Sequence, residues 1–195
     1  MLRLLRRVVN RCNALVGVSL ARTYLYRLAK QSELTMVRSD PSASWELLSP
    51  EKVDRLSEIG PFDPKDGPLR FQRGDVCYAV FIGGLLAHYS WVQRSGSHPI
   101  KEAAVTVPVE SREFWIYHCR TVDWAKGKRI YPATLERIMN DHFAQGYRTA
   151  WIYTTRENIS SQKGILRAGF VPVATLSALR VGSRYFRLGR ADQGQ

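Results

Sequence analysis

Residues 113–122 alternate with period two. Trp115, Tyr117, Cys119 and Thr121 fall on one face, and Phe114, Ile116, His118, Arg120 and Val122 on the other. That is the pattern of a β-strand. The strand leads directly into Asp123-Trp124-Ala125-Lys126-Gly127-Lys128-Arg129 and then a helix to about residue 144. Ile130, Leu135, Ile138 and Met139 supply the apolar face of this helix, and Gly146 its left-handed stop. A strand that turns at once into a helix restricts the chain to folds that layer helices on a sheet. It also makes an anion site, because the turn exposes backbone N–H groups at the positive end of a helix dipole. Lys126, Lys128 and Arg129 add charge there.

The other segments fit such a layered domain. Ser49-Pro50 opens a helix that should stop at Gly60-Pro61, with Ser at the N-cap and Pro at the first helical position. Residues 77–82 and 85–92 are apolar, strand-length runs joined by Gly83-Gly84, a hairpin signal. Strands are also predicted at 33–38, 105–109, 149–155, 170–175 and 185–188, and a short helix at 160–168. This order predicts one α/β (α+β) domain with a mixed sheet over residues 33–195.

Charge divides the chain. The net charge is +12 and the isoelectric point is near 10.0, which points to an anionic partner. Residues 1–32 hold Arg3, Arg6, Arg7, Arg11, Arg22, Arg27 and Lys30 without a single acid, which leaves +5 for the remainder. Leu2, Leu5, Val9, Cys12 and Val16 lie three or four apart, so residues 1–32 read as a basic amphipathic helix outside the domain. Its uncharged run, residues 12–21, is well short of the roughly 20 residues that span a bilayer. Three readings stay open for this arm: a helix packed on the domain, a helix lying on an anionic membrane surface, or a processed leader ending near Ser19 and Ala21.

Cys12, Cys77 and Cys119 form no CxxC pair, and His88, His98, His118 and His142 show no ligand spacing. Neither a disulfide framework nor a metal site is expected, and the default compartment is the reducing cytoplasm, with peripheral membrane contact as a variant. No RRM, KH or helix-turn-helix pattern accompanies the basic charge, so nucleic acid is not the expected partner.

Two ordered motifs carry a resemblance. Lys126-Gly127-Lys128-Arg129-Ile130-Tyr131 resembles, in variant form, the Gln/Arg-x-x-Gly-x-Gly/Ala turn of the GNAT superfamily of acyl-CoA N-acyltransferases. One strand later, Asn158 and Ser161 followed by Gly169-Phe170 resemble its Asn-x-x-Ser…Gly-Phe signature. The resemblance covers roughly residues 33–188. It implies a mostly antiparallel sheet with splayed central strands flanked by helices, and acyl-CoA, acetyl-CoA most simply, as co-substrate in the splay. It further implies that the backbone of 118–122, Val122 included, pairs with the pantetheine arm. The N–H groups of Lys126, Gly127, Lys128, Arg129, Ile130 and Tyr131 would hold the pyrophosphate, and Asn158 and Ser161 would contact the cofactor. An amine would attack the thioester directly, helped by a general base and a donor for the leaving thiolate.

Two departures stand out. Arg129 and Tyr131 occupy positions where the superfamily has Gly or Ala, and Ile165 stands where many relatives place the tyrosine that protonates the thiolate. Other residues are therefore candidates for the chemistry: His118 as base, Tyr117 and Tyr153 as thiolate donors, and Glu113 near the strand start. Acceptors in the superfamily include amino sugars, amino acids and protein N-termini, and an acyl carrier protein is an alternative donor. Trp45, Trp91, Trp115, Tyr117 and Trp151 are compatible with a greasy or sugar-stacking acceptor site. Two other functions stay open: an inactive GNAT-like membrane or protein adaptor, and a nucleic-acid binder.

Overall fold

The structure, a computed structural model, describes residues 17–30 and 37–188. Eight strands form one sheet: β1 (Val18–Ala29), β2 (Ala43–Leu47), β3 (Val76–Ile82), β4 (Leu85–Gln93), β7 (Glu113–Thr121), β8 (Thr149–Thr155), β9 (Val171–Val181) and β10 (Arg184–Arg187). Their order is β10-β9-β1-β8-β7-β4-β3-β2, and a separate ribbon pairs β5 (Ser97–Ile100) with β6 (Val105–Pro108). Every pairing is antiparallel except that of β7 with β8.

Helices α2 (Ile130–Ala144) and α3 (Ile159–Arg167) cover one face of the sheet. Phe114, Ile116 and Ile152 of the strands pack there with Leu135, Ile138, Met139 and Ile165. On the opposite face lie a 3-10 helix (Pro50–Ile59), α1 (Asp66–Gln72) and the β5–β6 ribbon. Val53, Leu56 and Phe62 pack there on Tyr89 and Trp91. Burying side chains of this size contributes roughly 1.5–3 kcal/mol each.

The main correction to the sequence reading concerns the arm. Residues 18–29 are a strand held between β8 and β9, not part of a helix. The heptad-like apolar stripe ends at Val16. Beyond it, Thr23, Tyr24, Tyr26 and Leu28 are strand-type and core residues, and two ladders of backbone hydrogen bonds outweigh weak helical propensity. The domain therefore includes residues 18–29, and a boundary at 32/33 would cut it beside a central strand. The helix expected over residues 1–16 and most of the strand expected at 33–38 lie outside the described residues.

A second correction lies inside β7. Its pairing with β4 runs Trp91↔Tyr117 but Tyr89↔Arg120, so the two residues between them, His118 and Cys119, face only Ser90. His118 adopts φ 48°, a left-handed value that L-residues adopt rarely, and forms the bulge. Simple alternation therefore fails. Tyr117 packs with the Trp91 cluster, while Cys119 joins Phe114 and Ile116 on the helical face.

Candidate functional site

β7 and β8 pair only as far as Ile116↔Ile152, after which the two parallel strands separate. The gap opens into a cleft of about 640 Å³ between β7, the turn before α2, and α3. Its lining includes Cys119, Thr121, Gly127, Arg129, Tyr131 and Ser161. The Tyr117–Thr121 edge of β7 has no strand partner on the β8 side.

The turn is built as an anion cradle. Gly127 (φ 82°) and Arg129 (φ 58°) are both left-handed. For Arg129 that conformation costs about 1–2 kcal/mol, the energy a glycine would not lose. Among the described residues, the N–H groups of Gly127, Lys128, Arg129, Ile130 and Tyr131 donate to no protein acceptor, and they sit at the N-terminus of the 15-residue α2. Two N–H groups of residues named for cofactor binding are engaged elsewhere, that of Val122, named for the pantetheine arm, and that of Lys126, named for the pyrophosphate. The Val122 N–H donates to the Ala87 carbonyl at 3.0 Å, and that of Lys126 to Asp123 at 3.2 Å.

The charges redistribute as well. Lys126 pairs with Asp123 at 2.5 Å and Lys128 with Asp40 at 3.2 Å. The cations that line the cleft without a carboxylate partner among the described residues are Arg120, whose Nε donates to the Ile59 carbonyl at 2.6 Å, and Arg129, Lys163 and Arg167. Lys163 and Arg167 lie four apart on α3, the spacing that puts two side chains on one helix face. That signal was readable in the sequence, but the motif drew attention to Asn158 and Ser161 instead. Asn158 is the N-cap of α3: its Oδ1 accepts from the Ser161 N–H at 3.1 Å and the Ser160 hydroxyl at 3.0 Å.

Tyr131 forms the floor of the cleft. Its hydroxyl is 3.3 Å from the Ser161 Oγ, and its ring lies so close to α3 that a Cβ on Gly164 would stand 2.5 Å from it. Large at 131 and small at 164 are thus one matched pair. Burial pushes the Tyr131 phenol well above its usual range, and burial likewise raises the Cys119 thiol to about 12, so neither ionises near neutrality. His88, also on the cleft wall, is fully buried between Thr121 Oγ1 (2.7 Å) and Ser90 Oγ (2.8 Å), and desolvation lowers it to about 3.

The residues named for proton transfer do not converge. His118 and Tyr117 share the face opposite the helices. His118 Nδ1 is 2.8 Å from an Arg70 N–H, and its Nε2 is 3.2 Å from the Tyr89 hydroxyl. Arg70 can only donate, so the imidazole is neutral with its lone pair on Nδ1 engaged. His118 keeps contact with solvent, yet desolvation by the Phe62 and Tyr89 rings, reinforced by Arg70, lowers it to about 4 rather than leaving it near neutrality. The Tyr117 hydroxyl donates to the buried Asp75 at 2.6 Å and accepts from Arg73 at 3.1 Å. Tyr153, on β8, has a phenol raised by burial and then by Glu102, and its hydroxyl has no hydrogen-bond partner among the described residues. Glu113 accepts from the Trp151 indole at 2.8 Å. Of the aromatic residues, Trp115 and Trp151 stack at 5.7 Å beneath the β5–β6 ribbon and Trp91 is core, whereas Trp45 bonds Thr134 of α2.

No family model matches the sequence, and no curated protein is similar to it in sequence. Solved structures are similar in fold. A GCN5-related N-acetyltransferase from Sphaerobacter thermophilus superposes with a TM-score of 0.64 at 10% identity over 96% of this chain and 59% of its own. A putative GNAT-family acetyltransferase from Novosphingobium aromaticivorans gives 0.59 at 14% identity, over 84% of this chain and 66% of its own. A GNAT-family acetyltransferase from Colwellia psychrerythraea gives 0.58 at 12% identity, over 87% and 57%. This chain therefore spans less than two thirds of the length of these proteins, and at such identities what it shares with them is the GNAT fold.

Proposed function

We propose that the protein is an N-acyltransferase that moves an acyl group, acetyl in the simplest case, from acyl-CoA to the amine of a small-molecule or sugar acceptor. The observation that carries this reading is the cleft between β7, the turn before α2, and α3, where five unpartnered amides and the side chains of Arg129, Lys163 and Arg167 converge. CoA offers what this surface lacks: a pyrophosphate for the amides of 127–131, and further phosphate charge for Arg129, Lys163 and Arg167. The pantetheine arm would take the place of the missing strand beside Tyr117–Thr121, which would aim the thioester at the bulge. Among the candidate donors, Tyr153 has the uncommitted hydroxyl. Burial keeps it protonated, and we assign it the proton that the departing thiolate takes up. We assign His118 to positioning Arg70, not to proton transfer.

The test is calorimetric. Wild-type protein should bind acetyl-CoA with micromolar affinity that weakens as salt rises, since screening acts on the phosphate contacts. Titration of a longer acyl-CoA under the same conditions sets the chain length. Absence of binding by both thioesters, with a carrier protein-linked acyl group also inert, removes the reading. The adaptor alternative draws on Tyr131, whose ring fills space at the cleft floor. It predicts that free CoA leaves the calorimetric trace flat.

We propose a cytoplasmic location with contact to an anionic membrane through the basic arm. No described helix is long and apolar enough to cross a membrane. Sedimentation with anionic and neutral vesicles checks the membrane contact. The full chain should pellet preferentially with anionic vesicles, and a variant lacking residues 1–16 should not. Only those residues are removed, because β1 belongs to the sheet. Equal partitioning of both proteins would sink this claim.

A further inference from the structure

The β5–β6 ribbon covers a polar group that the reaction as described leaves unused. His98 on β5 is 2% exposed. It stacks on Trp115 at 4.9 Å between ring centres, with Tyr117 at 5.2 Å and Tyr153 at 5.8 Å. Its neighbours fix its tautomer. Gln93 Nε2 donates to the carbonyls of Ser95 (2.8 Å) and Ser97 (3.0 Å), which turns Gln93 Oε1 toward His98 Nδ1 at 2.8 Å. An oxygen there requires the hydrogen on Nδ1, so the lone pair resides on Nε2.

That lone pair is buried and has no partner among the described residues, and the same is true of Glu102 Oε2 on the 3-10 turn after β5. A buried acceptor left unpaired costs about 1–3 kcal/mol, more when charged. Both acceptors border Tyr153: the imidazole through its ring, the carboxylate through the charge that helps raise the phenol. Tyr153 in turn follows Ile152, the last residue paired before β7 and β8 part. Two orphaned acceptors, one of them a carboxylate oxygen, thus lie beside Tyr153, next to the point where β7 and β8 part. A primary amine, with several N–H donors and a tendency to carry positive charge, matches them.

Resting on the acyl-transfer reading, we infer that His98 Nε2 is the catalytic base that accepts the proton of the attacking amine, with Glu102 as the second acceptor that holds it. The neutral amine nitrogen bonds to the thioester carbonyl carbon and its proton passes to Nε2. The carbon–sulfur bond breaks, and sulfur leaves with the electron pair and takes the Tyr153 proton. The imidazolium then returns its proton to the Tyr153 phenolate. Net products are an amide and a free thiol. The ribbon shares no backbone ladder with the eight-stranded sheet, and Gln93, at the end of β4, holds His98 in place from the sheet side.

The experiment combines two readouts. Ring-nitrogen NMR of wild-type protein follows His98 during titration with glucosamine and, separately, butylamine. Single-turnover acetyl transfer to the same amines compares wild type with His98→Gln and Gln93→Leu. The His98 Nε2 resonance should start as an unprotonated nitrogen and move on addition of amine. His98→Gln should slow transfer about 100-fold with acetyl-CoA affinity unchanged, the lower end of what general base catalysis contributes. Gln93→Leu frees the ring to exchange tautomers and should slow transfer about 10-fold, a role through orientation. An Nε2 resonance that neither amine moves, or wild-type transfer by His98→Gln, overturns the inference. If wild type fails to bind acetyl-CoA, the acyl-transfer reading falls, and the NMR titration still decides whether His98 meets an amine.

Discussion

Replacing Arg129, Lys163 and Arg167 together by alanine should weaken acetyl-CoA binding about 100-fold. Each side chain lines the cleft without a carboxylate partner among the described residues, so its charge is available to a phosphate. Lys163 and Arg167 are exposed and so is Arg129, which places each contact nearer the modest value of a solvated ion pair, about 1 kcal/mol, than that of a buried one. Three such contacts sum to about 3 kcal/mol, and each 1.4 kcal/mol is tenfold in affinity. Calorimetry at low salt measures this directly, with far-ultraviolet circular dichroism to confirm that α2 and α3 remain. The matching control replaces Lys126 and Lys128, whose ammonium groups are paired with Asp123 and Asp40. These changes should cost less than threefold. If the control weakens binding as much as the triple variant, the cleft cations have no special role. Arg129→Gly separates charge from conformation: it loses the guanidinium but relieves the left-handed strain, so folded stability should rise while affinity falls.

The layered fold was legible because its signals are local. Gly83-Gly84 marks the β3–β4 hairpin, the run after Val122 marks the turn into α2, and Gly146 ends that helix. Each rests on a few adjacent residues, and each stands where the pattern put it. The strand at Val18–Ala29 was not legible, because what makes it a strand is its position between β8 and β9, far away in sequence. The bulge at His118 was hidden for a related reason. Alternation assigns faces only while register holds, and one inserted residue moved Cys119 to the other side. The site was half legible. Motif spacing located the turn and α3, yet it could not say which charges were already paired. Lys126 pairs with Asp123 and Lys128 with Asp40, and the second of these contacts joins residues far apart in sequence. His98 and Gln93 are five residues apart across a strand end, a spacing with no pattern value, and their pairing depends on how the ribbon folds back.

Acid should destabilise the protein well before its carboxylates titrate. His88 and His98 are buried and neutral, lowered by desolvation to about 3 and about 4. For His98, Arg73 lowers it further and Asp75 opposes that. In the unfolded chain both titrate near 6.5. Below that pH the unfolded state therefore binds more protons than the folded state, and stability falls as pH falls. The contribution is complete above about pH 7 and is lost progressively toward pH 4. At 1.36 kcal/mol per pH unit, moving from pH 7 to pH 5 removes about 2 kcal/mol for each histidine, about 4 kcal/mol together. Against a total of about 5–15 kcal/mol for an ordinary domain this is a large share. Urea unfolding at the two pH values measures it, with the denaturant slope held constant to confirm a two-state comparison. His88→Gln can keep hydrogen bonds to Thr121 and Ser90 but cannot take a proton, so it should remove about 2 kcal/mol of the pH dependence and leave the shares of His98, His118 and His142, which are lowered as well. A wild-type midpoint that does not move between pH 7 and pH 5 would mean that both imidazoles reach solvent when folded. The dry wall that His88 gives the cleft, and the sealed lone pair of His98, would then both be wrong.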